Sequence, residues 1–409
     1  MVSVLLILTY LAVILLIGIL TSIVSDKFKI PNILLLLLIG MMLGRLEYNN
    51  VPLIKFDELF LTGMSILALV MIVFDSASGF KLERVDYFSL HTLWLSVVFM
   101  VFNLIFLTLF AMLIFNIDSI FLALIFSALM SGTDPLVISS TFKNAKNKVI
   151  EFLDLESLLN TPLVVLLPFI ILDFKRTLNF QLHDSIISKS IEQIVPLLQQ
   201  FVVGIGAGVL IGLIMFKFMR RQYSVVLSPL AVITSALLAY VISENLGGNG
   251  VLAVTSMGLL FGNVYVRQKF QLKEFASVFS NSLEILVFVL IGIVITIPFS
   301  LDFLLKSVGL FSIYLVIRFF SIIFSLRGMD FNLMEKIFMS LNMQKGIAVA
   351  VVVFSLANLN IEGIEVILNL VLVFMLYSII LSSIVFRTAK FFITGLDKSS
   401  QSSNMDQTN

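Results

Sequence analysis

Apolar stretches long enough to cross a bilayer recur along the whole chain, and nothing else in the sequence constrains its fold as strongly. A hydrocarbon core about 30 Å thick takes about 20 helical residues to span. On that measure the sequence holds thirteen stretches. They run Val2 to Val24, Ile30 to Leu43, Leu59 to Phe74, Leu93 to Phe115, Ile120 to Ile138, Phe152 to Leu172 and Val195 to Phe216. The remainder are Val225 to Ile242, Val251 to Val264, Val278 to Ile297, Leu304 to Leu326, Ile337 to Leu356 and Ile364 to Val385. The second and ninth are short for a full crossing, so flanking residues join them or those helices are interrupted inside protein. With 59% hydrophobic and 12% charged residues and a mean hydropathy of +1.11, too little polar side chain remains to coat a soluble body. The expected fold class is therefore an all-α polytopic membrane protein. The first stretch begins within two residues of the amino terminus, with no basic region or small-residue cleavage site, and reads as a retained span rather than a signal.

Composition also excludes several function classes. A formal net charge of +1 offers no basic footprint for nucleic acid. The chain has no cysteine, and its two histidines are His91 and His183, which argues against disulfides, thiolate or histidine metal sites and most enzyme chemistry. No cofactor is expected. The sequence has no glycine-rich phosphate loop, which disfavours an ATP-driven pump. Lipid is the solvent partner.

Loop charges test the span count independently, because an odd number of spans sorts the loops into two sets. One set carries eighteen cations, from Lys27 through Lys398, and the other six: Arg45, Lys55, Lys175, Arg176, Lys189 and Lys306. By the positive-inside rule the amino terminus is outside and the carboxyl terminus cytoplasmic, in a multi-pass cell-membrane protein. The two cations left within spans are Arg318 and Lys345. Six spans then start and end outside, one crosses, and six more start from the cytoplasm. That is the arithmetic of two inverted six-helix repeats (1–172 and 225–386) joined by a linker helix (195–216), together forming one transmembrane domain over 1–386. The tail, 387–409, is rich in Ser, Gln and Asn towards its end and is expected to be disordered. Asp173 to Gln193 is the longest expected loop.

The fifth span of each half carries a polar interruption: Gly132-Thr133-Asp134-Pro135 in one and Gln344-Lys345-Gly346 in the other. Unwound backbone supplies carbonyls, and half-helix ends supply partial charge, where lipid supplies neither. An ionisable group within a span is costly, so each is a functional candidate. Asp134 precedes Pro135, where a helix is expected to open and free the carbonyls of Ser131 to Thr133 for a cation. In the sixth span Glu156 lies over Asn160, and Ser157 over Thr161, at i, i+4 spacing, so two adjoining polar stripes face inward. Arg318 is the expected counterion of Glu156. Lys345 is titratable when desolvated and is a candidate for pairing or for carrying a proton. Glu284 is a candidate gating or pH-responsive group, with pairing to a cytoplasmic cation as the plainer role. Asp75 ends a span and is expected at the interface.

With these residues in place, the chain resembles the monovalent cation:proton antiporters of the sodium/proton exchanger group, most nearly the NhaP-type branch. The likeness covers essentially the whole membrane domain. Its marks are Lys29-Ile30-Pro31, Thr133-Asp134-Pro135, Glu156-Ser157-Leu158-Leu159-Asn160 and Gly247-Gly248-Asn249-Gly250, followed by Gly258 to Asn263, Glu284 eight residues before Gly292, and Ile317-Arg318. Lys345-Gly346 stands where the family usually has Arg-Gly. The resemblance implies a homodimer of about thirteen helices, with a scaffold and a mobile core in which the discontinuous fifth and twelfth helices cross. It also implies exchange of sodium or lithium for a proton by elevator-type alternating access, at one site that binds either ion.

The family's Asn-Asp pair reads Asn160-Thr161 here, and threonine offers an oxygen ligand but exchanges no proton near neutral pH. Three readings follow. Glu156 or Asp134 titrates instead, or cations move uncoupled from protons, or transport is lost and a sensor or assembly role remains; potassium/proton exchange is the rival within the transporter class. The first reading is preferred, with sodium caged by Thr133, Glu156, Ser157 and Thr161 and by water at Asp134. In that cage Glu156 alternates between proton and cation, Arg318 balances it, and Asn160 braces the crossing helices.

Overall fold

The computed structural model describes residues 4–28, 31–49, 51–80, 87–134, 147–179, 186–221, 224, 227–264, 269–295, 297–298, 300–359 and 361–393. Lys29-Ile30, Pro135 to Ile138, His183 and the tail beyond Ile393 lie outside the described residues. The chain runs through α1 (Val4–Phe28), α2 (Asn32–Gly44), α3 (Glu58–Gly79) and α4 (Tyr87–Phe102). A π-helical turn (Asn103–Leu107) leads into α5 (Thr108–Phe115) and then α6 (Ile120–Met130). Next come α7 (Lys148–Asn179), α8 (Ile186–Arg221), α9 (Leu227–Asn245), α10 (Gly250–Asn263) and α11 (Lys269–Val294). The last are α12 (Leu301–Ser325), α13 (Leu333–Leu341), α14 (Ile347–Ala357), α15 (Ile364–Arg387) and α16 (Ala389–Phe392). A minimal antiparallel hairpin, Glu47–Tyr48 against Val51–Pro52, pairs Glu47 with Pro52.

Among the described residues nine helices are long and apolar enough to cross a membrane, and α2, α6, α10 and α14 are shorter apolar helices. Every apolar stretch read from the sequence overlaps a helix. Bounds shift by several residues at many ends. In the fifth stretch α6 stops at Met130, just before the expected polar interruption, and the stretch's end at Ile138 lies outside the described residues. The expected loop from Asp173 to Gln193 is largely helical, because α7 continues to Asn179 and α8 begins at Ile186. Hydropathy ends where the bilayer would, whereas backbone hydrogen bonding has no reason to stop there.

Polar residues fix several starts and bends. Asn249 accepts from the Leu252 N–H at 3.0 Å, and Asn332 and Glu335 form a capping box at the start of α13. The π-helical turn is tied to α6 by Asn103 Nδ2 donating to Ser131 Oγ at 3.2 Å, and by Thr108 Oγ1 donating to Ser127 Oγ at 2.9 Å. The main core runs through α3, α6, α10, α11, α14 and α15. A second cluster joins the start of α7 to α13 and the ends of α12 and α15. α2 and α11 approach backbone to backbone: a Cβ on Gly40 would lie 2.4 Å from the Val289 carbonyl oxygen. By contrast α1 leaves Leu8, Leu16, Ile19 and Ile23 exposed, an apolar surface suited to lipid or another apolar partner.

Candidate functional site

The two polar interruptions meet. After Met130 the chain leaves the helix at Ser131 to Asp134, and between α13 and α14 it is non-helical from Asn342 to Gly346. The Asp134 N–H donates to the Gln344 carbonyl at 2.8 Å, joining one break to the other. Glycine is required at 346, because a Cβ there would sit 1.8 Å from Asp134 Oδ2.

The carbonyls freed at the end of α6 are engaged by the protein itself. Lys345, fully buried, donates through Nζ to Met130 O at 2.6 Å, to Gly132 O and to the Tyr314 hydroxyl. Tyr314 in turn donates to Met130 O at 3.0 Å, and the Lys345 N–H donates to Ser378 Oγ at 3.2 Å. The three protons of the ammonium thus have three acceptors, and its charge lies at the negative end of a half-helix. This corrects the expectation that the carbonyls of Ser131 to Thr133 are all open to a transported cation, since Gly132 O holds Lys345.

α7 supplies the other wall. Glu156 and Arg318 are both fully buried and form a bidentate pair, 2.6 Å in each arm, with the guanidinium 4.6 Å from the centre of the Phe99 ring. One turn on, Asn160 Nδ2 donates to Thr133 Oγ1 at 2.7 Å, bracing α7 against the first break. Asn160 is 3% exposed, and its Oδ1 has no hydrogen-bond partner among the described residues. Thr161 Oγ1 donates to the Ser157 carbonyl at 2.6 Å, which leaves the hydroxyl oxygen able to accept or coordinate.

A small, partly open pocket lies between these elements, lined by Thr133, Asp134, Asn160 and Thr161, with Gly132, Gly346, Val164, Ala348 and Val349. The structure therefore brings together four of the six residues expected to bind an ion. Glu156 and Ser157 do not line it: both Glu156 oxygens are committed to Arg318, and the Ser157 carbonyl accepts from Thr161. Asp134 is the one carboxylate among the described lining residues. Glu284, half-buried on α11, lies outside the wall but within electrostatic reach of Asp134. No group of three or more His, Cys, Asp or Glu suited to a metal ion occurs among the described residues, so what the cavity offers is hard oxygen ligands. Reading the sequence missed Tyr314 and Ser378. Tyr314 stands four residues before Arg318, on the same helix face, and that spacing was the available signal.

Two polar breaks that meet beside a small pocket, inside a lipid-compatible helical body, define a multi-pass membrane protein built like a secondary transporter. The chain belongs to the sodium/hydrogen exchanger transmembrane family, which matches residues 11–390, a family of transporters rather than enzymes. It is 25% identical over 342 residues to the K(+)/H(+) antiporter NhaP of Alkalimonas amylolytica, covering 80% of this chain and 56% of that protein. It is 28% identical over 323 residues to the probable Na(+)/H(+) antiporter 2 of Methanocaldococcus jannaschii, covering 72% and 71%. Its fold is similar to that of the sodium proton antiporter MjNhaP1 from the same organism, with a TM-score of 0.75, 20% identity, and coverage of 95% and 98%. The chain spans about half the length, or less, of the first curated relatives it matches.

Proposed function

We propose that this protein exchanges sodium or lithium for a proton across the membrane by elevator-type alternating access, with Asp134 as the carboxylate that takes either ion. The observation that carries this reading is the pocket beside the two breaks, which Asp134, Asn160 and Thr161 line together; the Asn160 Oδ1 has no partner among the described residues, and the Thr161 hydroxyl oxygen can still accept. Sodium prefers such oxygen ligands. Asp134 supplies a charge that a cation and a proton can neutralise in turn, and that competition couples the two fluxes. Lys345 and Arg318 hold the surrounding polar groups in place without entering the cavity wall. From the balance of loop cations we further infer an amino terminus outside, a cytoplasmic carboxyl terminus and inverted repeats, and from the resemblance to the antiporter family a homodimer.

Purified protein in proteoliposomes carrying a pH-sensitive dye, challenged with sodium, lithium and potassium, tests the proposal. Sodium- or lithium-dependent proton movement in the wild type, abolished in Asp134→Asn with unchanged thermal stability, is the expected result. Exchange at the wild-type rate in that variant would rule Asp134 out. Potassium exchange is the second reading, because several relatives are named K(+)/H(+) antiporters, and a potassium response exceeding that to sodium would select it. A third reading, uncoupled or absent transport, is favoured by Thr161 at the position of the family's aspartate; silence with every cation would select that one.

A further inference from the structure

The last turn of α6 is held by residues that lie outside the pocket. α6 closes on Met130 with Ser131 as its C-cap, and Asp134 follows three residues later. Tyr314 on α12 holds the Met130 carbonyl. The π-helical turn holds the two serines: Asn103 Nδ2 donates to Ser131 Oγ at 3.2 Å, and Thr108 Oγ1 donates to Ser127 Oγ at 2.9 Å. Ser131 Oγ donates in turn to the Ser127 carbonyl at 2.9 Å. All four side chains are buried.

The π-helical turn is what makes both contacts possible. On a regular α-helix, residues five apart stand about 140° apart, so Asn103 and Thr108 could not both face α6. Bonding from i to i+5, seen where the Thr108 N–H reaches the Asn103 carbonyl, widens the turn and brings the two side chains to one side. Ile105, inside the turn, faces away and is 57% exposed. Stability does not account for the amide. Asn103 Oδ1 has no partner among the described residues, and a buried acceptor left in that state is costly. Leucine at 103 would remove the cost and strand no described group, since Ser131 keeps its bond to Ser127. What the amide does supply is one bond, and that bond falls at the break.

We propose that Asn103, seconded by Thr108, is a positioning residue that fixes the rotation of the last turn of α6 and so aims Thr133 and Asp134 at the bound cation. The inference rests on the pocket being the cation site. Asn103 does not line that pocket and acts through Ser131. Asn160 holds Thr133 and the Gln344 carbonyl holds Asp134, but both bonds lie beyond Ser131 in the chain. Without Asn103 the serine at the base of the break loses its tie to the π-helical turn, and the two ligand-bearing residues can turn with it.

Calorimetric sodium binding to the purified full-length protein, sodium-dependent proton flux in proteoliposomes and amide hydrogen exchange test this. Asn103→Leu should weaken sodium binding and raise the KM for sodium about tenfold, with kcat within twofold of wild type and thermal stability no lower. Ser131→Ala should do the same, and the double variant should be no worse than either, because both remove one contact. Thr108→Val should show a smaller rise, and Ile105→Ala none. In Asn103→Leu, amide exchange over Ser131 to Asp134 should quicken at least tenfold. Unchanged affinity, unchanged exchange at the break, or a loss of stability and kcat with KM unaltered would reduce Asn103 to packing and overturn the role. Additive effects of Asn103→Leu and Ser131→Ala would mean that Asn103 does not act through Ser131, and would overturn it as well. A wild type that binds sodium without moving protons overturns exchange, while the binding constants still decide the role of Asn103. A wild type that binds none of sodium, lithium or potassium overturns both.

Discussion

Glu156 and Asp134 show how two carboxylates a short way apart in one membrane domain take different roles. Glu156 gives both oxygens to Arg318 in a fully buried, bidentate pair, so its charge is balanced by a group that does not deprotonate. Removing one partner of such a pair leaves a buried charge unopposed, at a cost of about 3 to 5 kcal/mol, whereas replacing both with apolar groups of similar size is often close to neutral. Glu156→Gln is therefore expected to lose about that much stability, and Glu156→Leu combined with Arg318→Met to regain most of it. Thermal unfolding of detergent-solubilised protein reads both. If Glu156 instead exchanged ions, Glu156→Gln would abolish flux while leaving stability near the wild type. Asn160 adds a different lesson, because its amide splits its duties: Nδ2 braces Thr133 while Oδ1 is left without a partner among the described residues.

The interrupted helices depend on close contact more than on any one polar bond. Gly346 lies against the Asp134 side chain, and the backbone bond from Asp134 to Gln344 holds the two breaks together. Gly346→Ala would place a methyl group inside van der Waals contact with Asp134 and push the breaks apart, so sodium-dependent proton flux should fall at least tenfold. Gly309→Ala on α12 is the control, since no heavy atom lies within 4 Å of a Cβ there. It should leave flux unchanged and add a few tenths of a kcal/mol of stability through the helix preference of alanine. Equal flux in the two variants would mean that the contact at 346 is incidental. At this scale much was legible in the sequence. Polar runs inside apolar stretches marked both breaks, because lipid tolerates such residues only where protein surrounds them. The extents of α7 and α8 were not legible, since hydropathy reports the bilayer and not where a helix continues into water. Nor was the role of Lys345, whose acceptors on α6 lie more than 200 residues away in sequence. Spacing placed Glu156 and Asn160 on one face of α7, and charge named Arg318 as the counterion of Glu156, but spacing could not tell that only the turn carrying Asn160 meets the pocket.

For the molecule as a whole, the number of carboxylates in the cavity sets the electrical character of transport. On the proposed mechanism, with Asp134 alone among the described lining residues, one cation would exchange for one proton and a cycle would move no net charge. The wild-type rate should then ignore the membrane potential, although moving one elementary charge through 100 mV is worth about 2.3 kcal/mol. Thr161→Asp would place a second carboxylate in the same wall, beside Asn160. Two negative groups sharing one cavity admit a second proton on the return step, so the variant should carry net charge in each cycle. Proteoliposomes clamped with potassium and valinomycin at 0 and −100 mV provide the measurement. The expected outcome is a wild-type proton flux equal at both potentials and a Thr161→Asp flux that differs between them by at least threefold. A wild type that already responds to potential would mean that a second charge, with Glu284 the nearest candidate on α11, takes part in each cycle. A wild type silent at both potentials, with flux appearing only in Thr161→Asp, would mean that threonine at 161 has retired exchange and that the crossing helices serve another purpose in this chain.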